Sequence, residues 1–595
     1  MSEAASVNKL DPITLQVISG ALDTIAQEMG HVLYRMSFSS IIRESQDLGA
    51  GLFDTEYNTL CESESTPLHI GSLPGYMAGI EQCLQDGEWY EGDVVIHNHP
   101  YYGASHSPDI AIVIPIFHNG ELVGFSANTA HHLDIGAATP GLIIDIPDVY
   151  AEGMLFAGTK LYRKGERNEA MWNYLRHNSR AARQLQDDLD AQIASARLGV
   201  KRFQELIEKY GRETVLTATR QLMDYTESVM RQQIAQIPDG EYFAEGFLDD
   251  DGKNRGVNLP IKVRVEIKGD SALVDLTGSA DQVETGFNVP FEGSTKVACF
   301  CAFRSLLLDA ETMGRGVPTN EGSFRPIKVH APKGSIFNPA FPAAAEARFT
   351  QCNRMIDLIY KALAPALPDK IIAGSSASLS FAAYSGVRPD GAYWVFLEVN
   401  EGSYGGRPHS DGPDAVDSLM ANTRNNPLED LAVHIPMICD RYELRDDVVP
   451  GAGKFHGGMG VVKAQRVLTD GFITHECERH EDAPWGVFGG RDGVVGKVEI
   501  YNAGQNAQRE QVPAKFSGLR VHANDVMAFY APCGGGYGNP LEREPALVLD
   551  DVLDDYYSAD VARDVYGVVV DLAAETVDLP ATQALRARMG AVAAE

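Results

Sequence analysis

Apolar residues recur at helical spacing directly after Asp11-Pro12: Ile13, Val17, Leu22, Ile25, Met29, Val32 and Leu33. A capping aspartate followed by proline in the first turn predicts a helix opening there and running to about Met36. The period then changes. An apolar run from Ile110 to Phe117, the pair Asn119-Gly120 and a second apolar run from Leu122 to Ala130 predict a β-hairpin, because a type I′ turn needs φ > 0 at both central residues. From about Asn168 to Ile237 the period is helical again, with Leu185, Leu189, Ile193, Leu198, Phe203 and Leu206 on one face and Gly211 dividing a helical hairpin. From Gly240 to about Thr277 the pattern alternates, Lys262, Arg264 and Glu266 outward and Val263, Val265 and Ile267 inward, as in an antiparallel sheet with one wet face. A helix from about Arg348 to Leu363 follows the segment GSIFNPAFPAAAEA, and the tail after Glu542 reads as helix, strand, helix. The expected class is mixed α/β (α+β), with large antiparallel or mixed sheets and an inserted helical hairpin. At 595 residues the chain is too long for one ordinary core. We divide it into an N-terminal region (1–167) holding the β-hairpin, a helical hairpin (168–237), a β-rich body (238–541) and a tail (542–595).

The hairpin brings chemistry with it. With Asn119 and Gly120 as a two-residue loop, Asp109 falls opposite Ala130 and Pro108 opposite His131. The strand ends therefore converge carrying His106, Asp109, His131, His132 and Asp134. Imidazoles and carboxylates in that arrangement suit a divalent ion such as Zn²⁺, Mn²⁺ or Fe²⁺. A hydrogen-bonded polar cluster at a sheet edge is the alternative. Strict alternation puts His132, not His131, on the face of Asp109, but Pro108 ends regular pairing, so parity does not choose between them. Asp47, in RESQDLGAGLFD, is the candidate for a distant fourth ligand. His69, in TPLHIGSLPGYM, reads as a hydrogen-bonded loop residue.

Composition narrows the partners. Lys+Arg 50 against Asp+Glu 82 gives a net charge of −32, a field that repels nucleic acid and anionic membrane surfaces. No 18-residue apolar run occurs, and MSEAASVNKLDP lacks a basic segment followed by an apolar one, so a cytoplasmic location is expected. The eight cysteines contain no C-x-x-C pair and read as reduced, mostly buried thiols. Three glycine-rich loops, GSYGGRPHSDGPD, GAGKFHGGMG and APCGGGYGNP, match no phosphate-binding pattern and read as tight turns. HECERHEDAPWGVFGG reads as a structured polar loop, and the absence of G-x-S-x-G leaves no serine-hydrolase order to argue.

Nine passages in order along the chain carry a resemblance: DPITLQVISGALDTIAQEMG, RESQDLGAGLFD, NHPYYGASHSPD, ANTAHHLDIG, GGRPHSDGPD, NTRNNPLE, RYELR, GAGKFHGGMGVV and GGGYGNPLERE. Together they resemble the B subunit of the hydantoinase B/oxoprolinase family, which includes ATP-dependent N-methylhydantoinases, 5-oxoprolinases, caprolactamases and the related acetone and acetophenone carboxylases. The resemblance implies a partner A subunit, a kinase-like ATPase that uses ATP and Mg²⁺ to phosphorylate the substrate carbonyl oxygen. It implies that the B subunit holds a divalent metal through Asp47, His106, Asp109 and His131, with His132 and Asp134 close outside, and that Asp109, His131, His132 and Asp134 serve catalysis. The implied substrate is a lactam or hydantoin ring, or a ketone in the carboxylase branch, and the implied assembly is a dimer of heterodimers. A non-catalytic scaffold for an active partner is a third reading. The chain departs from the family at His99, where an aspartate is usual, and at Cys533, where a glycine is usual.

Overall fold

The computed structural model describes residues 9–309, 313, 317–378, 380–504 and 509–593. The first helix, Pro12–Met36, starts where expected: the Asp11 side chain accepts the Ile13 and Thr14 amides, and the stripe Ile18, Leu22, Ile25, Met29 and Leu33 is buried. It packs on a seven-stranded antiparallel sheet made of β1 (Leu48–Phe53), β2 (Thr59–Glu62), β3 (Val94–His97), β4 (Asp109–His118), β5 (Glu121–His131), β6 (Thr159–Arg163) and β7 (Glu166–Arg167), in the order β2-β1-β5-β4-β3-β6-β7. One face sets Ile110, Ile112 and Ile114 against the Ala182–Tyr210 helix. The other sets Val95, Val113, Phe125 and Ala127 against the Pro67–Cys83 helix. Burial on both faces is why β4 is an unbroken apolar run.

The inserted hairpin consists of Ala182–Tyr210 and Arg212–Ile234, with Gly211 at φ 84° between them. A shorter helix, Glu169–Asn178, precedes it. The alternating segment forms β8 (Gly240–Leu248), β9 (Leu259–Lys268) and β10 (Ser271–Asp275), joined by β11 (Ile327–His330) in the order β11-β10-β9-β8. Val263, Val265 and Ile267 are buried in one core with Met355, Ile356 and Ile359 of the Phe349–Leu363 helix. Further along lie β12 (Ser380–Val387), β13 (Tyr393–Asn400), β14 (Met437–Leu444), β15 (Val461–Val467), β16 (Gly471–Glu476), β17 (Lys497–Asn502), β18 (Glu510–Val512), β19 (Phe516–Val521) and β20 (Asp525–Tyr530). They form two sheets, β13-β12-β16-β19 and β14-β15-β20-β17-β18, which share a core through Tyr384, Phe396, Ile473, Val461 and Phe529. The mixed α/β class is as expected.

Three local readings change. The glycine-rich loops are not isolated turns; they pack on one another backbone to backbone. A Cβ on Gly457 would sit 1.9 Å from the Gly534 carbonyl oxygen, and one on Gly534 would sit 2.1 Å from that of Tyr404. The amides of Gly406, Gly451, Gly457, Gly458, Gly534, Gly535 and Gly536 all donate to carbonyls, so none of these is free to cradle a phosphate. The segment HECERHEDAPWGVFGG does not begin as a loop: His475 and Glu476 end β16. The tail is two helices (Pro545–Leu553, Ala559–Tyr566), a small hairpin and a third helix (Leu579–Ala593). It docks through the buried Arg543, which bonds Asp411 (2.6 and 3.0 Å) and Asp551 (2.8 and 3.1 Å).

Candidate metal centre

The hairpin register decides which histidine reaches Asp109. Next to the turn, His118 faces Glu121 and Phe117 faces Leu122, with Asn119 and Gly120 at φ 53° and 80° as the type I′ turn demands. Val123 is then bulged out: Ile116 pairs with Gly124, and beyond that point the register is shifted by one. Asp109 therefore pairs with His131, not with Ala130. A one-residue slip exchanges the faces of a strand, so His131 joins Asp109 and His132 turns to the helix-covered side. There His132 Nε2 sits 2.9 Å from Gln192 Oε1. The structure thus places His132, expected among the catalytic residues, outside the group formed by His106, Asp109 and His131. Asp134, also expected in catalysis, is engaged elsewhere: its carboxylate accepts from Arg180 Nη1 (2.8 Å), the Arg180 amide (2.5 Å) and Ser179 Oγ (3.2 Å). It fastens the break between the Glu169–Asn178 and Ala182–Tyr210 helices.

His106, Asp109 and His131 offer ligand atoms that all lie within 4.8 Å of one another, and all three residues are buried. His106 Nδ1 is 2.8 Å from the Glu346 carbonyl oxygen. A carbonyl only accepts, so Nδ1 carries the proton and Nε2 presents its lone pair. That Nε2 lies 2.9 Å from Asp109 Oδ1, and His131 Nδ1 lies 3.1 Å from the same oxygen. The other oxygen, Oδ2, accepts from Ser105 Oγ (2.5 Å) and Arg348 Nη2 (2.8 Å), which hold the carboxylate with Oδ1 toward the imidazoles. His69 belongs to this group, against the loop reading. It stands in the first turn of the Pro67–Cys83 helix, with Nε2 2.9 Å from Asp47 Oδ1 and 3.7 Å from Asp109 Oδ1. Asp47 immediately precedes β1, its carbonyl takes the His131 amide (3.2 Å), and it adjoins the cluster through His69.

Burial and the nearby Arg348 charge hold the His106 imidazole down at about 4, so it is neutral at pH 7. Burial alone would raise the Asp109 carboxyl, but His106, His69 and Arg348 hold it well below the ordinary range. For His69, burial is outweighed by Asp109 and Asp47, and its pKa rises. The donor set fits a divalent ion. Nε2 of His106 and of His131 are both buried without a hydrogen-bond partner. A bare imidazole lone pair against a carboxylate oxygen is a contact that a cation relieves. The cluster opens on a cavity of about 30 Å³ lined by Asp47, His69, His106, His131, Glu346, Arg348 and Glu476, with Leu68, Leu142, Phe349, Phe381 and Val399 as apolar wall. Its narrow part has room for about two water molecules, and it opens toward solvent.

Ser105, Arg348, Glu346 and Glu476 escaped the sequence reading. His69 need not have: Thr66-Pro67 is a helix-start signal that puts it in a first turn. His99 stays outside the cluster. Its Nδ1 accepts the Tyr101 amide at 3.3 Å and caps the short Pro100–Tyr102 turn, a task an aspartate performs equally well. Cys533 is buried among the glycine loops, with its sulfur accepting the Gly460 amide at 3.4 Å.

The profile of the hydantoinase B/oxoprolinase family matches residues 11–540. A chain named as the B subunit of a D-/L-hydantoinase in Pseudomonas sp. (strain NS671) is 46% identical over 590 residues, 98% of each chain. The beta subunit of the caprolactamase of Pseudomonas jessenii is 31% identical over 595 residues, covering 98% of this chain and 100% of that one. The crystal structure of the ATP-dependent caprolactamase from that organism superposes with a TM-score of 0.87 at 28% identity, over 98% of this chain and 100% of the other. A nucleotide-free acetone carboxylase structure superposes with a TM-score of 0.88 over 99% of this chain and 84% of that one, at 18% identity, a likeness of fold alone.

Proposed function

The chain belongs to the hydantoinase B/oxoprolinase family, and on that premise we propose that it is the metal-bearing, hydrolytic B subunit of an ATP-dependent cyclic amidase. Its substrate is a lactam- or hydantoin-type ring whose carbonyl oxygen a kinase-like A subunit phosphorylates with ATP and Mg²⁺. The observation that carries this reading is the buried group His106, Asp109 and His131, whose ligand atoms lie within 4.8 Å of one another beside a shared cavity and whose two imidazole Nε2 atoms have no hydrogen-bond partner. The glycine loops, seven of whose amides already donate to carbonyls, support leaving the phosphate chemistry to another polypeptide. So do the names of the two relatives, each of which is one member of a multi-subunit enzyme. We place the complex in the cytoplasm as a dimer of heterodimers, the commonest kind of closed two-fold assembly. Among the described residues no helix is long and apolar enough to cross a membrane.

His106, Asp109 and His131 would hold the ion, with Asp47 completing the set. When bound, Zn²⁺ or Mn²⁺, with Fe²⁺ as the alternative, supplies Lewis acidity and brings the ionisation of water toward neutral pH. Arg348 and Ser105 orient Asp109 by its second oxygen, and the Glu346 carbonyl fixes the His106 tautomer. The apolar wall of Leu68, Phe381 and Val399 keeps bulk water from the activated ring carbon. The Asp47–His69 pair, 2.9 Å apart, can hold a proton beside the cluster.

A second reading, the corresponding subunit of a ketone carboxylase, comes from the sequence resemblance, whose family includes acetone and acetophenone carboxylases; the likeness to acetone carboxylase is one of fold and does not choose between the two. One experiment separates them. The chain is co-purified with the kinase-like product of the neighbouring gene, its metal content is measured, and ATP turnover is followed with lactams and hydantoins, with and without bicarbonate. Ring opening that needs ATP but no bicarbonate is the expected result. Turnover that requires bicarbonate and a ketone would establish the carboxylase, and a fully active complex without divalent metal would refute the centre.

A further inference from the structure

We propose that Glu476 is the catalytic residue that protonates the ring nitrogen as the carbon–nitrogen bond breaks, so that the ring opens instead of losing phosphate. The proposal rests on the amidase reading above. Glu476 ends β16, a strand paired on both edges, with Phe381 of β12 directly opposite it. It is 3% exposed, it lines the same cavity as His69, His106 and His131, and its Oε2 has no hydrogen-bond partner. Burial pushes its carboxyl up to about 7 against the pull of Arg348 and Lys515, so the acid form is at hand near neutrality. Arg348 meanwhile bonds Asp109, which sets the acid and the candidate ligands around one small space.

The chemistry calls for such a group. An O-phosphorylated lactam has a carbon–nitrogen double bond and a phosphate ester on the ring carbon. Adding water across that bond puts a hydroxyl on carbon and a proton on nitrogen. The tetrahedral carbon then bears hydroxyl, phosphate and ring nitrogen, and phosphate is a far better leaving group than an unprotonated nitrogen. Loss of phosphate with the hydroxyl proton regenerates the lactam and hydrolyses ATP to no purpose. A proton from the Glu476 carboxyl to nitrogen reverses the preference. The carbon–nitrogen electron pair leaves on nitrogen as an amine, the hydroxyl oxygen becomes the carbonyl of an acyl phosphate, and its proton restores the carboxyl. A second water converts the acyl phosphate into carboxylate and inorganic phosphate.

The test uses the complex with its kinase-like partner in ¹⁸O-water, on whichever of hydantoin, 5-oxoproline or caprolactam the wild type opens. With Glu476→Gln, ring opening should fall by at least ~10²-fold, the scale of a lost general acid, while ATP is still consumed. ATP used per ring opened should rise by about an order of magnitude or more if the general acid is what steers the collapse. The unopened lactam should gain ¹⁸O, since the oxygen it keeps came from water. Glu476→Asp, which preserves the acid, should restore part of the coupling and carries the same readouts if the glutamine variant does not fold. Metal content and sedimentation are to match the wild type. An unchanged ATP-to-product ratio with no ¹⁸O in the recovered lactam would overturn the proposal. So would joint loss of ATP consumption and ring opening in a folded, metal-loaded variant, or uncoupling by Glu346→Gln but not by Glu476→Gln. A wild-type complex that opens none of these rings refutes the amidase reading itself, and this assignment with it.

Discussion

Alanine at His131 and alanine at His132 should produce opposite outcomes, although the two residues are neighbours in sequence. His131 offers one of three ligand atoms lying within 4.8 Å of one another. Protein metal sites with four donors bind with ~10–16 kcal/mol, so one imidazole is worth ~3 kcal/mol and His131→Ala should weaken the metal by at least ~10²-fold. Ring opening by the complex should fall by at least ~10²-fold. The fold should persist, because the β4–β5 ladder that carries the residue is made of backbone bonds. His132→Ala should keep the metal and lose stability instead. Its Nε2 bonds the buried Gln192 Oε1, and an unsatisfied buried acceptor costs ~1–3 kcal/mol. The vacated ring volume adds a further ~1–2 kcal/mol. Each kcal/mol lowers the unfolding midpoint by ~2–4 °C in a domain of this scale. Metal per chain after dialysis, measured by inductively coupled plasma mass spectrometry, and the calorimetric midpoint read the two effects separately. If His132→Ala empties the site while His131→Ala retains metal and activity, the register argument fails. If neither changes the metal content, the cluster is a hydrogen-bonded polar group and nothing more.

Other outcomes follow from single elements. The isolated chain should not hydrolyse ATP, and turnover in a partner-free preparation would refute the proposed division of labour. His99→Asp should leave folding and metal content as in the wild type, because an aspartate caps the Pro100–Tyr102 turn as His99 does; a changed metal stoichiometry would bring His99 into the centre. His475, enclosed by Ser380 Oγ and the Ala514 carbonyl, is held down by burial at about 3 from its ordinary 6.5. The unfolded chain gains a proton below pH ~6.5 that the folded chain does not take until about pH 3, so this group's contribution is complete above 6.5 and declines on acidification by ~1.4 kcal/mol per pH unit. His475→Gln should therefore flatten the acid limb of the stability–pH curve between about pH 6.5 and 4, and an unaltered slope would contradict the burial argument.

What was legible in the chain is what depends on near neighbours. Asp11-Pro12 specifies a helix start because the cap and the missing amide act within one turn, and Asn119-Gly120 specifies a hairpin because φ > 0 is demanded of two adjacent residues. Arg348 was not legible, being 239 residues from the Asp109 it orients, and Glu476 carries no local mark of facing the same cavity. The glycine loops misled for the same reason. Read alone, each run permits a turn, whereas Gly457 is required because the Gly534 carbonyl comes within 1.9 Å of where its Cβ would stand.

The bulge at Val123 stands between these cases, and it governs the centre. Gly124 lies inside an apolar strand pattern, which is itself a bulge signal, and a Cβ there would come within 2.4 Å of the Phe53 carbonyl oxygen of β1. The third strand therefore requires glycine where β5 passes it, next to the residue that drops out of register. Without that step Asp109 would face Ala130, and strand alternation would present His132 to the cavity and His131 to the helix. With it, Asp47, His131 and Asp109 arrive side by side from three adjacent strand ends, and His132 is left to a glutamine. The choice of histidine thus rests on a glycine seven residues before it in sequence, and not on the H-H-x-D motif that draws attention to both.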